Sequence, residues 1–425
     1  MDLETPMLEL AAAFICFTSL LTYLNYRFVG LPPTIGVMVI ALIFSVGLQS
    51  LSWLGFPGLE HRIGELLGQI DFNDLLMNWM LGFLLFAGAL HVNLKDLRDY
   101  KWAIGGLATL GVIISTVLIG YLSHWIFGWL GWHVDLLYCL IFGALISPTD
   151  PIAVLGILRS AGAPKSLETT IVGEALFNDG VAVVVYSVLL GVIQLGETPT
   201  VNAALWLFVE EAGGGILFGL LIGFVCYWLM LSIEQHQIEV MLSLALVIGG
   251  STLASHLHVS GPIAMVVAGL IIGNLGRTKA MNDFTRRYLD GFWELIDEIL
   301  NALLFALIGM ELLVLPFSWT HLGAALLVTL AILFARWISV APVVLLSPHW
   351  RNMTRGTARI LTWGALRGGV SVALALSLPA GPERDLILAL TYIVVLVSIL
   401  GQGLTIGRVV KSVTGGTPVA RDDHH

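Results

Sequence analysis

Residues 146–155 read Ile146-Ser-Pro-Thr-Asp-Pro-Ile-Ala-Val-Leu155, in the middle of an apolar stretch that runs from Leu136 to Leu158. Pro148 and Pro151 bracket Thr149 and Asp150. Each proline removes a backbone donor and obstructs the preceding turn, so the pair predicts a helix opened for about one turn. The freed carbonyls, the Thr149 hydroxyl and the Asp150 carboxylate then form a cluster of hard oxygen ligands, which suits a small cation and does not suit a soft metal. The plainer alternative is a proline kink whose Asp caps the following half-helix.

Composition places this segment in a membrane. The chain of 425 residues is 57% hydrophobic and 12% charged, with a mean hydropathy of +0.90. Soluble proteins are about a quarter charged, and half that supply cannot cover a globular surface, which excludes a soluble enzyme. A net charge of -9 with no basic stripe excludes a nucleic-acid binder. What remains is an all-α polytopic membrane protein. At membrane depth, unwound backbone is tolerated only where it is buried in protein or lines a polar cavity.

Apolar runs separated by charged or Pro/Gly-rich breaks predict about thirteen spans, near 7–26, 30–48, 72–92, 102–128, 134–158, 169–194, 202–230, 238–257, 259–274, 291–313, 321–346, 357–378 and 385–410. Loop charge tests that count. Connections after odd-numbered spans, with the C-terminal tail, hold 16 of the 20 Lys and Arg residues, and the opposite side holds only Arg62 and Arg384. This predicts an external N-terminus and a cytoplasmic C-terminus. The first span lacks a basic leader and is expected to stay in the protein. The stretches 50–71 and 281–293 read as tethering loops or interfacial segments. Cys16, Cys139 and Cys226 fall in apolar runs and predict no disulfide.

Two further segments carry charge at depth, where an ionisable group is a functional hypothesis by default. Residues 173–180, GEALFNDG, place Glu174 and Asn178 on one helix face and Asp179 about 100° further round. Their plainer reading is a structural polar network. Gly173 and Gly180 would admit a close neighbour. Residues 364–376, GALRGGVSVALAL, form a Gly-interrupted span carrying Arg367, a permanent cation that needs a counter-charge. Glu174 is the expected partner; the alternative is that Arg367 neutralises helix C-terminal carbonyls. The interrupted helices lie seven spans apart and therefore run antiparallel, which is the sequence sign of inverted repeats with a substrate site near the midplane. Glu294, Asp297, Glu298, Glu311 and Arg336 read as span-end residues that snorkel or pair.

SPTDPIAVL, GEALFNDG and GALRGGVSVALAL, in this order and spacing, resemble the monovalent cation/proton antiporters, in particular their NhaP-type, sodium/proton exchanger branch. The likeness covers residues 7–410. It implies an NhaA-like antiporter fold with two broken crossing helices. Asp179 would alternately hold a proton or Na+, with Asp150, Thr149 and Asn178 completing the site and Glu174–Arg367 as a buried ion pair beside it. Na+ would sit on Asp179, Asp150 and Thr149 as a transported ion, with no cofactor. The resemblance also implies an electroneutral one-for-one exchange, a homodimer, a role in pH homeostasis and an inner or plasma membrane location. One transport domain, 1–411, would divide into a core bundle around 102–194 and 321–410 and a dimerisation bundle from the other spans, followed by a short cytoplasmic tail, 412–425.

Two positions depart from the family's pattern. Ala175 stands where Ser is frequent, and Phe86-Ala87-Gly88 lacks an acid that NhaP-type members often carry. Both changes remove oxygen ligands, so a K+(Na+)/H+ antiporter of the same fold is the nearest alternative, ahead of a cation channel or uniporter. An intramembrane protease is disfavoured, because no Gly-x-Gly-Asp, Gly-x-Ser-Gly or HExxH segment occurs.

Overall fold

A computed structural model describes residues 4–53, 80–151, 154, 155, 158, 162–195, 201–313, 319–346 and 356–414. The described residues fold into α-helices with a few 3-10 and π segments. In chain order they are α1 (Glu4–Leu24), α2 (Pro33–Trp53), α3 (Leu81–Leu90), α4 (Leu94–Asp99), α5 (Lys101–Gly106), α6 (Val112–Trp129), α7 (Leu136–Ile146), α8 (Lys165–Leu195), α9 (Val201–Leu231), α10 (His236–His256), α11 (Gly261–Ile271), α12 (Asp283–Met310), α13 (Trp319–Leu346), α14 (Thr357–Trp363), α15 (Gly369–Leu376), α16 (Pro382–Val397) and α17 (Leu404–Thr414). A π segment, Leu107–Gly111, joins α5 to α6, and another, Ser398–Gly403, joins α16 to α17.

Local chemistry sets several of these ends. Asp135 caps α7 by accepting from Leu137 N at 2.7 Å, and Asn282 caps α12 by accepting from Phe284 N and Thr285 N. The second cap has a consequence for 281–293. From Asp283 onward this stretch is the opening of one continuous 28-residue helix, not a separate interfacial segment or loop. Most of 50–71 and the tail beyond Thr414 lie outside the described residues.

Nine helical stretches among the described residues are long and apolar enough to cross a membrane, and α3 and α7 are shorter apolar helices. The interrupted fifth and twelfth spans fall short because their breaks cut them into pieces. Helix α12 falls outside the nine because seven acidic or basic residues stud its first sixteen positions. Large apolar side chains cover the outside, among them Trp125, Trp129, Leu217, Trp228 and Leu330, while Glu174, Asn178, Arg336 and Arg367 are buried. That inversion of the soluble pattern marks an integral membrane protein whose outer solvent is lipid.

Buried side chains gather in two main clusters. The larger draws on α5 to α8 and α13 to α17 and includes Phe142, Leu145, Leu366 and Tyr392. The second draws on α3 and α9 to α12, around Phe86, Met265 and Trp293. Helix α12 serves both, with Trp293 in the second and Leu304 to Ile308 in the first. A smaller cluster of Leu81, Leu85, Leu176 and Val266 joins α3 and α11 to α8.

Candidate functional site: two unwound segments crossing beside α8

Helix α7 stops at Ile146, Ser147 N closes it by donating to Ala144 O, and residues 147–150 lie outside any helix. Residues 365–368 open the chain in the same way between α14 and α15. The two breaks meet. Asp150 N donates to Leu366 O at 2.8 Å, so a donor freed by one break satisfies an acceptor freed by the other. Gly368 makes the approach possible: a Cβ there would lie 2.7 Å from Asp150 Cβ and 2.9 Å from Asp150 Oδ2. Gly368→Ala should therefore lower stability by about 1–3 kcal/mol through overpacking. Gly249→Ala, where an added Cβ meets nothing within 4 Å, should be neutral or stabilising; an unfolding comparison of the two variants checks this.

Arg367 braces the crossing. Its Nη1 donates to Ser147 O at 2.7 Å and to Pro148 O at 2.9 Å, the carbonyls left without helical partners where α7 ends. Its backbone N–H donates to Ser398 Oγ at 3.1 Å. Ser398 donates to Gln402 Oε1, whose amide group donates to Trp363 O, so the π segment between α16 and α17 fixes the end of α14.

The structure corrects the expected ion pair. Glu174 pairs with Arg336 of α13, not with Arg367. The Arg336 guanidinium makes a bidentate contact, Nη1 to Oε1 and Nη2 to Oε2, the latter at 2.8 Å. Both residues are almost fully buried, Glu174 at 1% and Arg336 at 5% exposure. Arg336 therefore does not snorkel. The guanidinium fork fits a carboxylate, while Arg367, held on unwound backbone, is occupied by carbonyls.

Helix α8 presents the remaining candidates. Asn178 Nδ2 donates to Thr149 Oγ1 at 2.8 Å, tying α8 to the first break. The other amide atom, Oδ1, is buried with no hydrogen-bond partner among the described residues. Asp179, one residue on, lines a cavity of about 590 Å3 together with Thr149, Asp150 and Gly368. Ala175 of α8 and Ala87 of α3, the two positions lacking an oxygen ligand, line the same cavity. Toward one end the cavity is bordered by Asp96, Lys165 and Glu168, with Lys165 Nζ 3.5 Å from Asp96. Glu294 and Asp297 of α12 line the cavity as well, which the reading as span-end residues missed. Their i, i+3 spacing with Asn301 and Leu304 was the available signal.

The fold therefore brings Thr149, Asp150 and Asp179 together around one cavity, with Asn178 held behind it against Thr149 and with the Glu174–Arg336 pair and Arg367 acting as separate braces. Two carboxylates and a hydroxyl can hold a dehydrated cation or a proton.

Comparison with known proteins identifies the family and the fold. The family model for the transmembrane sodium/hydrogen exchanger matches residues 15–412. The Na+/H+ antiporter NhaP of Pseudomonas aeruginosa is 64% identical over 98% of this chain and 99% of its own length. The Na+/H+ antiporter NhaH of Halobacillus aidingensis is 33% identical over 89% of this chain and 91% of its own. The solved sodium proton antiporter MjNhaP1 of Methanocaldococcus jannaschii, at pH 8, has a like fold, with a TM-score of 0.76 over 98% of this chain and all of that one, at 20% identity. On these grounds the chain belongs to the transmembrane sodium/hydrogen exchanger family, whose members are transporters and not enzymes.

Proposed function

We propose that this protein is a secondary antiporter exchanging cytoplasmic Na+ for external H+, one for one, with the two ions competing for Asp179. The observation that carries the reading is the shared cavity. Asp179 and Asp150 face it beside Thr149, at the point where two unwound segments cross. A carboxylate taken out of water holds its proton, and an entering cation stabilises the charged form instead. Mutual exclusion at one carboxylate suffices for exchange, because the empty charged site is costly to carry through a low-dielectric barrier.

In this reading the chain makes thirteen crossings in an NhaA-like arrangement of inverted repeats. The nine long apolar helices, the short α3 and α7 and the paired breaks support that count. The two clusters of buried side chains support a core bundle working against a second bundle that dimerises. The cavity reaches the end of the molecule that carries Lys95, Arg98 and Lys165, the cation-rich and therefore cytoplasmic side. Protons entering while Na+ leaves would serve pH and sodium homeostasis at the plasma membrane. Ala87 and Ala175 on the cavity wall favour one second reading, in which K+ is also accepted.

Purified protein in liposomes tests the proposal. An imposed sodium gradient should generate a pH gradient of equal size with the membrane clamped at zero or at about -100 mV, although that voltage is worth ~2.3 kcal/mol per uncompensated charge. Sodium current without proton movement would identify a channel, and a voltage-dependent rate would overturn the one-for-one ratio.

A further inference from the structure

Helix α12 turns one stripe of side chains toward the cavity. Glu294, Asp297, Asn301 and Leu304 follow at i, i+3, i+7 and i+10, and all four line it, as one face of a helix must. At the deep end Leu304 packs on Gly369, where an added Cβ would strike its side chain, so the stripe ends at the start of α15 beside the crossing. Asn301 holds Asp297 in place: its Nδ2 donates to Asp297 Oδ1 at 3.1 Å and to the Asp297 carbonyl at 2.7 Å. Asn301 is itself only 2% exposed. Asp297 lines the same cavity as Asp150 and Asp179, so three carboxylates face one space.

A second observation comes from α15. Ser371, in the first turn of α15, lines the same cavity at 1% exposure, and its Oγ has no hydrogen-bond partner among the described residues. A buried hydroxyl left in that condition is costly to fold. An ion that arrives with part of its hydration shell removed offers such a group an interaction.

We propose that Asp297, steadied by Asn301, and the Ser371 hydroxyl are further ligands of the transported monovalent cation, and that they set affinity and choice among Li+, Na+ and K+. The inference rests on the exchange reading given above. A dehydrating cation needs its lost water oxygens replaced, and the number and field strength of the replacements decide which ion is preferred. Ala87 and Ala175 supply none from their stretches of wall; Asp297 and Ser371 do from theirs. Because Asp297 sits on α12 and Asp150 on the break after α7, the ligand set spans both bundles. A shift of one bundle against the other would separate the two carboxylates and release the ion.

The test uses the full chain in liposomes, with Na+, Li+ and K+ as probes. Asp297→Asn preserves size and can still meet Asn301, yet it should raise the apparent KM for Na+ about tenfold or more, the worth of one charge-assisted contact. Asp297→Glu should restore most of the affinity. Ser371→Ala should change the Na+-to-K+ rate ratio about threefold or more, the worth of one neutral oxygen contact. Stabilisation of the purified protein against heat by Na+ is read on the same variants, so an inactive one still reports binding. Unchanged KM, unchanged ion ratio and unchanged Na+ stabilisation would overturn the inference. So would a fall in maximal rate or stability alone, which is what a merely structural role predicts. Normal Asp297→Asn beside an inactive Asp179→Asn would overturn this inference only, whereas exchange surviving in Asp179→Asn would overturn the exchange reading with it.

Discussion

Asp179→Asn protein is expected to insert, fold and resist heat at least as well as the parent chain, and to carry no sodium-coupled proton flux above that of protein-free liposomes. The substitution keeps the shape of the side chain and removes its charge. In a cavity walled by Ala87, Ala175 and Gly368, a neutral amide is less costly to bury than a carboxylate, so stability should hold or rise slightly. Transport should fail on both of its limbs. The amide has no titratable proton to release, and it offers the cation a dipole where a full charge stood. Losing a charged partner in a site of low dielectric is worth several kcal/mol, and each 1.4 kcal/mol is a factor of ten in binding. Asn178, immediately before it, cannot substitute, because its amide group is engaged with Thr149 at 2.8 Å and it carries no charge to exchange. The measurement is proton movement driven by a sodium gradient, alongside a melting curve showing that the variant is folded. Flux at the parent rate in Asp179→Asn would mean that proton and cation do not compete for this carboxylate.

The residues that meet at the crossing were legible in the sequence because proline and glycine leave a local mark. Pro148 and Pro151 announce the first break, and Gly364, Gly368 and Gly369 the second, whatever surrounds them. The Asn178 and Asp179 positions were legible for a related reason, since polar side chains in an apolar helix are rare enough to be conspicuous. Partnerships were not legible. A helical span gives the depth of a charge and its angle around the helix axis, but not which neighbour faces it. Arg336 and Arg367 were therefore both available to Glu174, and the choice turned on tertiary packing of α13 against the core. Arg367 takes the alternative read for it, donating to the backbone carbonyls of Ser147 and Pro148 at the end of α7; the breaks mark where such carbonyls are freed, but not which cation reaches them. Helix α12 shows the opposite failure. Its stripe of Glu294, Asp297 and Asn301 had a readable period, but the acids looked like solvated helix-end residues until the cavity gave them a face to line.

The largest effect on stability should come from Glu174 and Arg336. The pair ties α8 to α13, and Arg336 also reaches Leu361 O of α14 at 3.4 Å, so three helices of the larger cluster depend on one contact. Removing either partner strands the other as an uncompensated charge at almost no exposure, which costs about 3–5 kcal/mol. Glu174→Ala and Arg336→Ala should each show that loss in unfolding measurements in mixed micelles. The double variant should be no worse than either single one, because no buried charge is left without a partner. A double-mutant cycle thus predicts a coupling of several kcal/mol, far outside the ~0.3–0.5 kcal/mol expected for independent sites. The same cycle between Glu174 and Arg367 should give a much smaller coupling, since Arg367→Ala mainly exposes the Ser147 and Pro148 carbonyls and leaves the Glu174 carboxylate paired. Strict additivity between Glu174 and Arg336, or a larger coupling to Arg367, would reverse the assignment. It would also move the brace from the α8–α13 contact to the crossing of the broken helices, where any loss of stability would fall together with loss of transport.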